Sequence, residues 1–177
     1  MDGYTRPAAG EYADYFVPYV RLVPPGPILT ILERQLEETL ALLRPLDEEQ
    51  AGFRYAPGKW SIREVVGHVI DTERIFGVRA LWFARGEPGP LPSFEQDDFV
   101  RTAGFDRRTL ADLLEELRLV RSSTIALFRG LPPEALTREG IAAGERLVVR
   151  AVPFIIAGHE LHHRALLLER YLGAIAT

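Results

Sequence analysis

The chain contains no cysteine, a single lysine (Lys59), and no apolar run long enough to span a membrane. The absence of cysteine excludes disulfides, thiolate metal ligands and cysteine nucleophiles, so only His, Asp or Glu side chains could hold a metal ion. A membrane-spanning helix needs roughly 18 consecutive apolar residues, and residues 1–10 lack the basic and apolar regions of a signal peptide. We therefore expect a cytoplasmic protein with no membrane partner.

The composition is that of an ordinary globular protein, with 47% hydrophobic and 26% charged residues in a chain of 177. This length most simply forms one domain, residues 1–177, with a substantial apolar core. The net charge of −4 provides no basic surface for a phosphate backbone. We therefore expect no nucleic-acid partner.

Residues 1–27 combine many aromatic residues with many prolines. The prolines interrupt helices, so the pattern predicts an irregular segment. Because a free tail rarely carries so many aromatic rings, we expect this segment to pack on the domain, beside a pocket. The alternative is a partly ordered tail with a few docked rings. The aromatic residues are Tyr4, Tyr12, Tyr15, Phe16 and Tyr19.

The rest of the chain shows the periodicity of four long amphipathic helices and no sustained strand pattern. We predict helices over residues 28–43, from Ser61 to near Gly86, over 109–129, and over 152–172 with Gly173 as the stop. These helices predict an all-α four-helix bundle. The segments 93–108 and 137–150 are expected outside the bundle, the second as a hairpin or an extended loop.

Three of the four histidines fall within five residues of the last predicted helix. His159 and His163 are four residues apart, so they project from one face about 40° apart and could chelate one ion. His162 projects about 100° from His163, which makes it a poorer partner. His68, on the second predicted helix, is the candidate third ligand. The alternative is that these histidines only form hydrogen bonds in the fold.

Three carboxylates lie near these histidines in the sequence and could act as a base or orient an imidazole: Glu64, Asp71 and Glu160. Asp71 is our first choice as the catalytic base because it shares a helix face with His68. Two arginines, Arg74 and Arg164, could meet an anionic substrate or a thiol cofactor, although such arginines usually form surface ion pairs.

Two stretches of the chain resemble signatures of the DinB-like family. Residues 57–74 (PGKWSIREVVGHVIDTER) resemble its second-helix signature, and residues 157–165 (AGHELHHRA) resemble its fourth-helix signature. The resemblance covers most of the chain and implies a four-helix bundle that binds one divalent metal ion. By position, the implied metal ligands are His68, His159 and His163.

The same resemblance implies a function, because the family includes thiol-dependent S-transferases and proteins labelled as metal-dependent hydrolases. We expect a metal-dependent enzyme that activates a thiol or a water molecule for S-transfer to, or hydrolysis of, a small-molecule substrate. All-histidine sites suit zinc or nickel, with iron or copper also open. A low-molecular-weight thiol is a possible cosubstrate, and a homodimer is plausible. The alternative is a non-catalytic metal-binding or dimerising module.

Overall fold

The computed structural model describes residues 4–175, which are mostly helical. The α-helices are, in chain order, α1 (Val17–Leu22), α2 (Ile28–Leu43), α3 (Glu48–Ala51), α4 (Ile62–Ala84), α5 (Gln96–Ala103), α6 (Leu110–Arg129), α7 (Val152–Leu166) and α8 (Gly173–Ile175). Short 3-10 turns lie at Asp14–Phe16, Phe105–Arg107, Pro133–Thr137 and Val149–Ala151. A π-helical turn, Leu167–Leu172, joins α7 to α8. One hairpin consists of β1 (Glu139–Ala142) and β2 (Glu145–Val148).

The four long helices form a bundle in which α2 and α4 each pack against both α6 and α7. Going around the bundle, the order is therefore α2, α6, α4, α7. The two helices that carry the histidines, α4 and α7, are neighbours. The predicted all-α four-helix bundle is confirmed, and the hairpin is a small addition to it.

The predicted bounds of the first three long helices agree closely with the structure, because their ends carry local signals. At the start of α4, the Ser61 hydroxyl accepts a hydrogen bond from the Glu64 amide, and the Glu64 carboxylate accepts one from the Ser61 amide. The Thr109 hydroxyl caps α6 by accepting from the Asp112 amide. These caps fix where α4 begins and hence where His68 lies along it.

The apolar core consists of two clusters, one towards each end of the bundle. On every long helix, buried polar residues lie between the stretches that belong to the two clusters: Gln35 on α2, Thr72 and Glu73 on α4, Arg121 and Thr124 on α6, His159 and Glu160 on α7. The bundle therefore has a polar layer across its middle. His68, buried on α4, lies next to this layer.

Two predictions for the chain ends are wrong in part. Residues 14–22 form a 3-10 turn and α1, because Pro18 lies in the first turn, where its missing N–H is not needed. Gly173 is not a helix stop: its φ of −61° is helical, and α8 continues beyond it. The aromatic rings of Tyr4, Tyr12 and Phe16 do pack against the core. Residues 1–3 of the predicted irregular segment lie outside the described residues.

The two segments expected outside the bundle differ in outcome. The 137–150 segment forms the antiparallel hairpin, with Glu139 opposite Val148 and Ala142 opposite Glu145. The 93–108 segment contains α5, and its Phe105 side chain packs into the core beside α4.

Over residues 4–175, no helix combines the length and the apolar character that crossing a membrane requires.

Candidate metal centre

Three imidazoles converge where α4 meets α7. The Nε2 atoms of His68 and His163 each lie 3.1 Å from the Nε2 atom of His159. Ligand atoms of the three residues all lie within 4.8 Å of one another. Between residues 4 and 175, this is the one group of three His, Asp or Glu side chains with a geometry that could hold a metal ion. The structure therefore brings together the three residues that the sequence singled out.

Burial keeps these imidazoles neutral. It lowers the pKa of His68 to about 4 and that of His163 to about 3, the latter helped by the neighbouring histidines. The pKa of His159 is also well below its ordinary value, first because of burial and then because of the imidazoles around it. Near pH 7 each ring therefore has a nitrogen lone pair free to bind a cation.

The spacing of the nitrogens suits a shared ion. Two nitrogens bound to one metal ion at about 2.0–2.1 Å are about 2.9 Å apart at a right angle and about 3.3 Å apart at the tetrahedral angle. The observed 3.1 Å falls between these values. Three convergent, neutral imidazole donors thus fit a divalent ion of the zinc, nickel, copper or iron type.

Aromatic side chains surround the three imidazoles. The Trp60 ring lies 4.8 Å from the His68 ring, measured between centroids, and the Trp60 carbonyl accepts a 2.9 Å hydrogen bond from the Tyr171 hydroxyl. The Tyr19 ring lies 5.6 Å from the His159 ring. These contacts restrict ring rotation, so the imidazoles are held in place before any ligand arrives.

Each of the two histidine helices has a glycine directly before its first ligand histidine. A Cβ atom on Gly158 would lie 2.1 Å from the Tyr19 carbonyl oxygen, so α1 can approach α7 only because residue 158 is glycine. A Cβ atom on Gly67 would lie 2.4 Å from the Phe105 ring. The glycines therefore let α1 and the Phe105 ring pack closely against α7 and α4 beside the ligand histidines, a role that sequence reasoning missed.

Two large cavities reach the histidine cluster, each lined by different histidines. One, of about 340 Å³, is lined by His68 and His159 together with residues of α1, α4 and the segment before α5. The other, of about 390 Å³, is lined by His163, His162 and Trp60. His162 is outside the convergent group, and its ring lies 5.2 Å from Tyr19. The cluster is therefore buried but accessible to a small molecule.

The carboxylate of Glu160, a candidate base, lies in the polar layer, and its hydrogen-bond partners there are not imidazoles. It accepts a 2.8 Å bond from the Arg121 guanidinium and a 2.6 Å bond from the Thr39 hydroxyl. Arg121 also forms a bidentate ion pair with Glu73, at 2.8 and 2.9 Å, and donates to the Leu32 carbonyl. Burial alone would lower the pKa of Arg121, but the two carboxylates raise it, so the guanidinium stays charged.

The other charged candidates lie in surface networks. Glu64 caps α4 and pairs with Arg54. Arg74 pairs with Glu116, and Arg164 pairs with Glu38 at 2.6 Å. The candidate anion receptors therefore already have carboxylate partners.

Asp71 is half-buried on α4, with the Arg74 guanidinium 3.8 Å away. Burial raises the pKa of the Asp71 carboxyl, with Arg74 acting in the opposite direction. Within the described part of the chain, no hydrogen bond joins Asp71 to an imidazole of the cluster. Its role as a base stays a prediction.

Comparisons with known proteins identify a family. The model of the DinB superfamily matches residues 31–167. A protein of Geobacillus thermodenitrificans (strain NG80-2), named "Putative metal-dependent hydrolase", is 27% identical over 147 residues, which are 77% of this chain and 78% of that protein.

Two solved structures share the fold. YfiT from Bacillus subtilis, described as a probable metal-dependent hydrolase with an unusual four-helix bundle topology, aligns with a TM-score of 0.73 and 18% identity over 80% of this chain and 82% of its own. The DinB-like protein YjoA from Bacillus subtilis aligns with a TM-score of 0.60 and 21% identity over 85% of this chain and 92% of its own.

Proposed function

Because the chain belongs to the DinB superfamily and three neutral imidazoles converge inside its bundle, we propose that it is a metal-dependent enzyme whose ligands are His68, His159 and His163. A divalent ion at such a site lowers the pKa of a coordinated water or thiol, and so supplies a nucleophile near neutral pH for hydrolysis or for S-transfer. The observation that carries the proposal is the 3.1 Å spacing of the Nε2 atoms.

The chain's own residues supply the conditions for that chemistry. Three protein ligands leave positions open for a substrate, whereas structural zinc sites usually have four protein ligands. Trp60 and Tyr19 pack against the rings of His68 and His159, both of which are buried. The cavities beside the cluster give a small-molecule substrate, and a low-molecular-weight thiol if one is used, access to this point.

We infer a general base role for Asp71. The support is its position three residues after His68 on α4, and its half-buried carboxyl, whose pKa burial raises above the ordinary value. Asp71→Asn should lower kcat and remove the acidic limb of the pH–rate profile. If Asp71 acts only in the ion-pair cluster with Arg74, kcat and the profile will stay as in the unaltered protein.

The experiment for the proposed function starts with elemental analysis of protein purified without an affinity tag, since a histidine tag would bind metal itself. A panel of ester substrates, and of electrophiles combined with low-molecular-weight thiols, then separates hydrolysis from S-transfer. Activity should vanish with a chelator and return with zinc or nickel. A protein that binds metal but turns over no member of the panel would favour the non-catalytic alternative.

A homodimer is part of the proposal because α4 exposes apolar side chains on one face. Val78 and Trp82 are 54% and 47% exposed and lie one turn apart, with Leu81 beside them. Light scattering after size-exclusion chromatography should give twice the monomer mass, and Trp82→Glu should shift the protein towards monomer. A monomeric mass for the unaltered protein at high concentration would contradict this.

A further inference from the structure

Arg79, on α4, is a buried cation without an acidic partner. It is 5% exposed, and its one hydrogen bond among the described residues goes from Nη2 to the Pro92 carbonyl, at 2.9 Å. No Asp or Glu side chain in the described part of the chain lies within ion-pair distance of it. Arg121, the other buried arginine, has two carboxylates. A guanidinium has five N–H donors, so Arg79 has donors to spare.

This arginine faces the same cavity as the histidine cluster. The cavity of about 340 Å³ is lined by His68 and His159 at one end and by Arg79 further along α4. Thr72 lies between them, one turn after His68. Its hydroxyl is buried and has no hydrogen-bond partner in residues 4–175. A buried polar group without a partner destabilises the fold. Thr72 and Arg79 therefore both have hydrogen-bonding groups in this cavity that a ligand could satisfy.

Much of the cavity wall is apolar and aromatic, from Phe16, Tyr19, Phe76 and Ile155, and Ser93, Glu95 and Gln96 are its other polar lining residues. The Arg79 guanidinium lies over the Phe76 ring, with Cζ 5.2 Å from the centroid. Phe76 follows His68 by eight residues, or about 12 Å along a helix that rises about 1.5 Å per residue. The cavity therefore has a metal-ligand end and a cationic end roughly 12 Å apart along α4, with Thr72 and the Phe76 ring between them.

We propose that this cavity binds the substrate as an anionic small molecule, with its carboxylate on Arg79, its apolar middle against Phe76 and Tyr19, and its reacting end at the histidine cluster. The Thr72 hydroxyl donates to a polar atom in the middle of the molecule. The placement of the reacting end rests on the proposed function. The carboxylate subsite depends only on Arg79 and not on a metal ion. Burial lowers the pKa of Arg79.

The first test uses metal-free protein, so that a carboxylate cannot bind a metal ion instead. Calorimetry compares 4-phenylbutanoate and 6-phenylhexanoate with the corresponding alcohols. The unaltered protein should bind each acid at least about tenfold more tightly than its alcohol, as expected for a charge-assisted hydrogen-bonded pair. Arg79→Gln should remove this preference, Arg79→Lys should keep part of it, and Arg74→Gln, on the same helix but paired with Glu116, should change nothing.

Equal binding of acids and alcohols by the unaltered protein would overturn the proposal. So would an acid preference that survives in Arg79→Gln. Since Arg79 also donates to Pro92, the folded state of each variant is checked by its thermal midpoint. If Arg79→Gln does not fold, Arg79→Lys decides: loss of bidentate geometry should weaken acid binding several-fold and leave alcohol binding unchanged.

The second test measures the span of the cavity. Cobalt(II)-loaded protein is titrated with ω-mercaptocarboxylates of increasing chain length, and the thiolate–cobalt absorption reports binding. Affinity should peak at a chain that spans roughly 12 Å, the rise of α4 from His68 to Phe76, and the peak should disappear in Arg79→Gln and with ω-mercaptoalcohols. A flat dependence on length would overturn the two-ended assignment. Failure to bind cobalt at all would instead overturn the proposed function, and the metal-free comparison would still decide the Arg79 subsite.

Discussion

His162 differs from the three converging histidines in its surroundings, although it lies between two of them in the sequence. His159 and His163 are one turn apart on α7 and meet His68, whereas the His162 ring contacts Tyr19 and lines the second cavity. The difference follows from the helical angle of about 100° per residue. It provides a matched control within the same sequence motif.

Replacing His68, His159 or His163 with alanine should therefore remove most of the bound metal, because two imidazoles hold an ion far less tightly than three. His162→Ala should retain it. Elemental analysis and the apparent zinc affinity, measured against a chromogenic chelator, check each variant. Loss of metal in the His162 variant alone would show that the ligand set is wrong.

At the scale of the helices, α1 and the polar layer determine how α4 and α7 present their histidines. The α1 backbone at Tyr19 lies against Gly158, and the ion pairs of Arg121 reach α4 and α7 at once. Arg121 also donates to the α2 backbone at Leu32, so one side chain of α6 contacts the other three long helices. The relative positions of α4 and α7 are therefore fixed within a few residues of the site.

Gly158→Ala should destabilise the protein by about 1–3 kcal/mol, the usual effect of overpacking, because the added methyl group meets backbone atoms that cannot move alone. Gly77→Ala is the control. It also lies inside a long helix, but a Cβ atom there has no neighbour within 4 Å. It should be neutral or stabilise by up to about 1 kcal/mol. Urea unfolding measures both, and equal effects would contradict the close approach of α1.

Arg121→Met should lower the free energy of unfolding by about 3–5 kcal/mol, because it leaves the carboxylates of Glu73 and Glu160 buried without their cation. Arg118→Met, three residues earlier on α6, removes an exposed pair with Glu115 and should change stability by about 0.5 kcal/mol or less. Denaturant titrations at neutral pH give both values. Similar stability of the two variants would mean that the polar layer contributes little.

Across the whole molecule, local sequence signals predicted the helices better than the sequence predicted how the helices pack together. The caps and the apolar periodicity placed α2, α4 and α6 closely, and the family resemblance implied the convergence of His68 with His159 and His163, which the structure shows. The order of helices around the bundle was not predictable, because the connection between α6 and α7 fits several arrangements. The sequence also did not reveal that Phe105 enters the core, since that depends on the space left by Gly67.

Sequence reasoning missed the two buried arginines, although the sequence contains a signal for each of them. Arg121 lies midway between Leu117 and Ile125, each one turn away, so it belongs to the buried stripe of α6. Arg79 likewise lies between Phe76 and Phe83, both buried on α4. A charged residue inside an apolar stripe indicates a buried ion pair or a ligand subsite, whereas Arg74 and Arg164, chosen for their closeness to the histidines, form surface pairs.

The three histidines also determine how stability depends on pH in the metal-free protein. Their pKa values are lowered in the folded state, to about 4 for His68 and about 3 for His163, from about 6.5 in an unfolded chain. Between these values the unfolded state binds more protons, so stability is fully present above about pH 6.5 and declines as the pH falls through this window.

Unfolding free energies of metal-free protein should therefore fall by on the order of 3 kcal/mol between pH 6 and pH 5, since three histidines each contribute about 1 kcal/mol over this unit. Carboxylates with lowered pKa values, such as Glu11 and Glu116, contribute mainly below about pH 4.5, outside the measured range. The triple variant His68→Gln, His159→Gln, His163→Gln should lose most of this dependence of stability on pH.

Zinc added at pH 7 should raise the free energy of unfolding by RT ln(1 + [Zn]/Kd) in the unaltered protein and leave that of the triple variant unchanged. If the unaltered protein and the triple variant show the same pH slope and the same response to zinc, the three imidazoles neither stay neutral in the fold nor hold the ion.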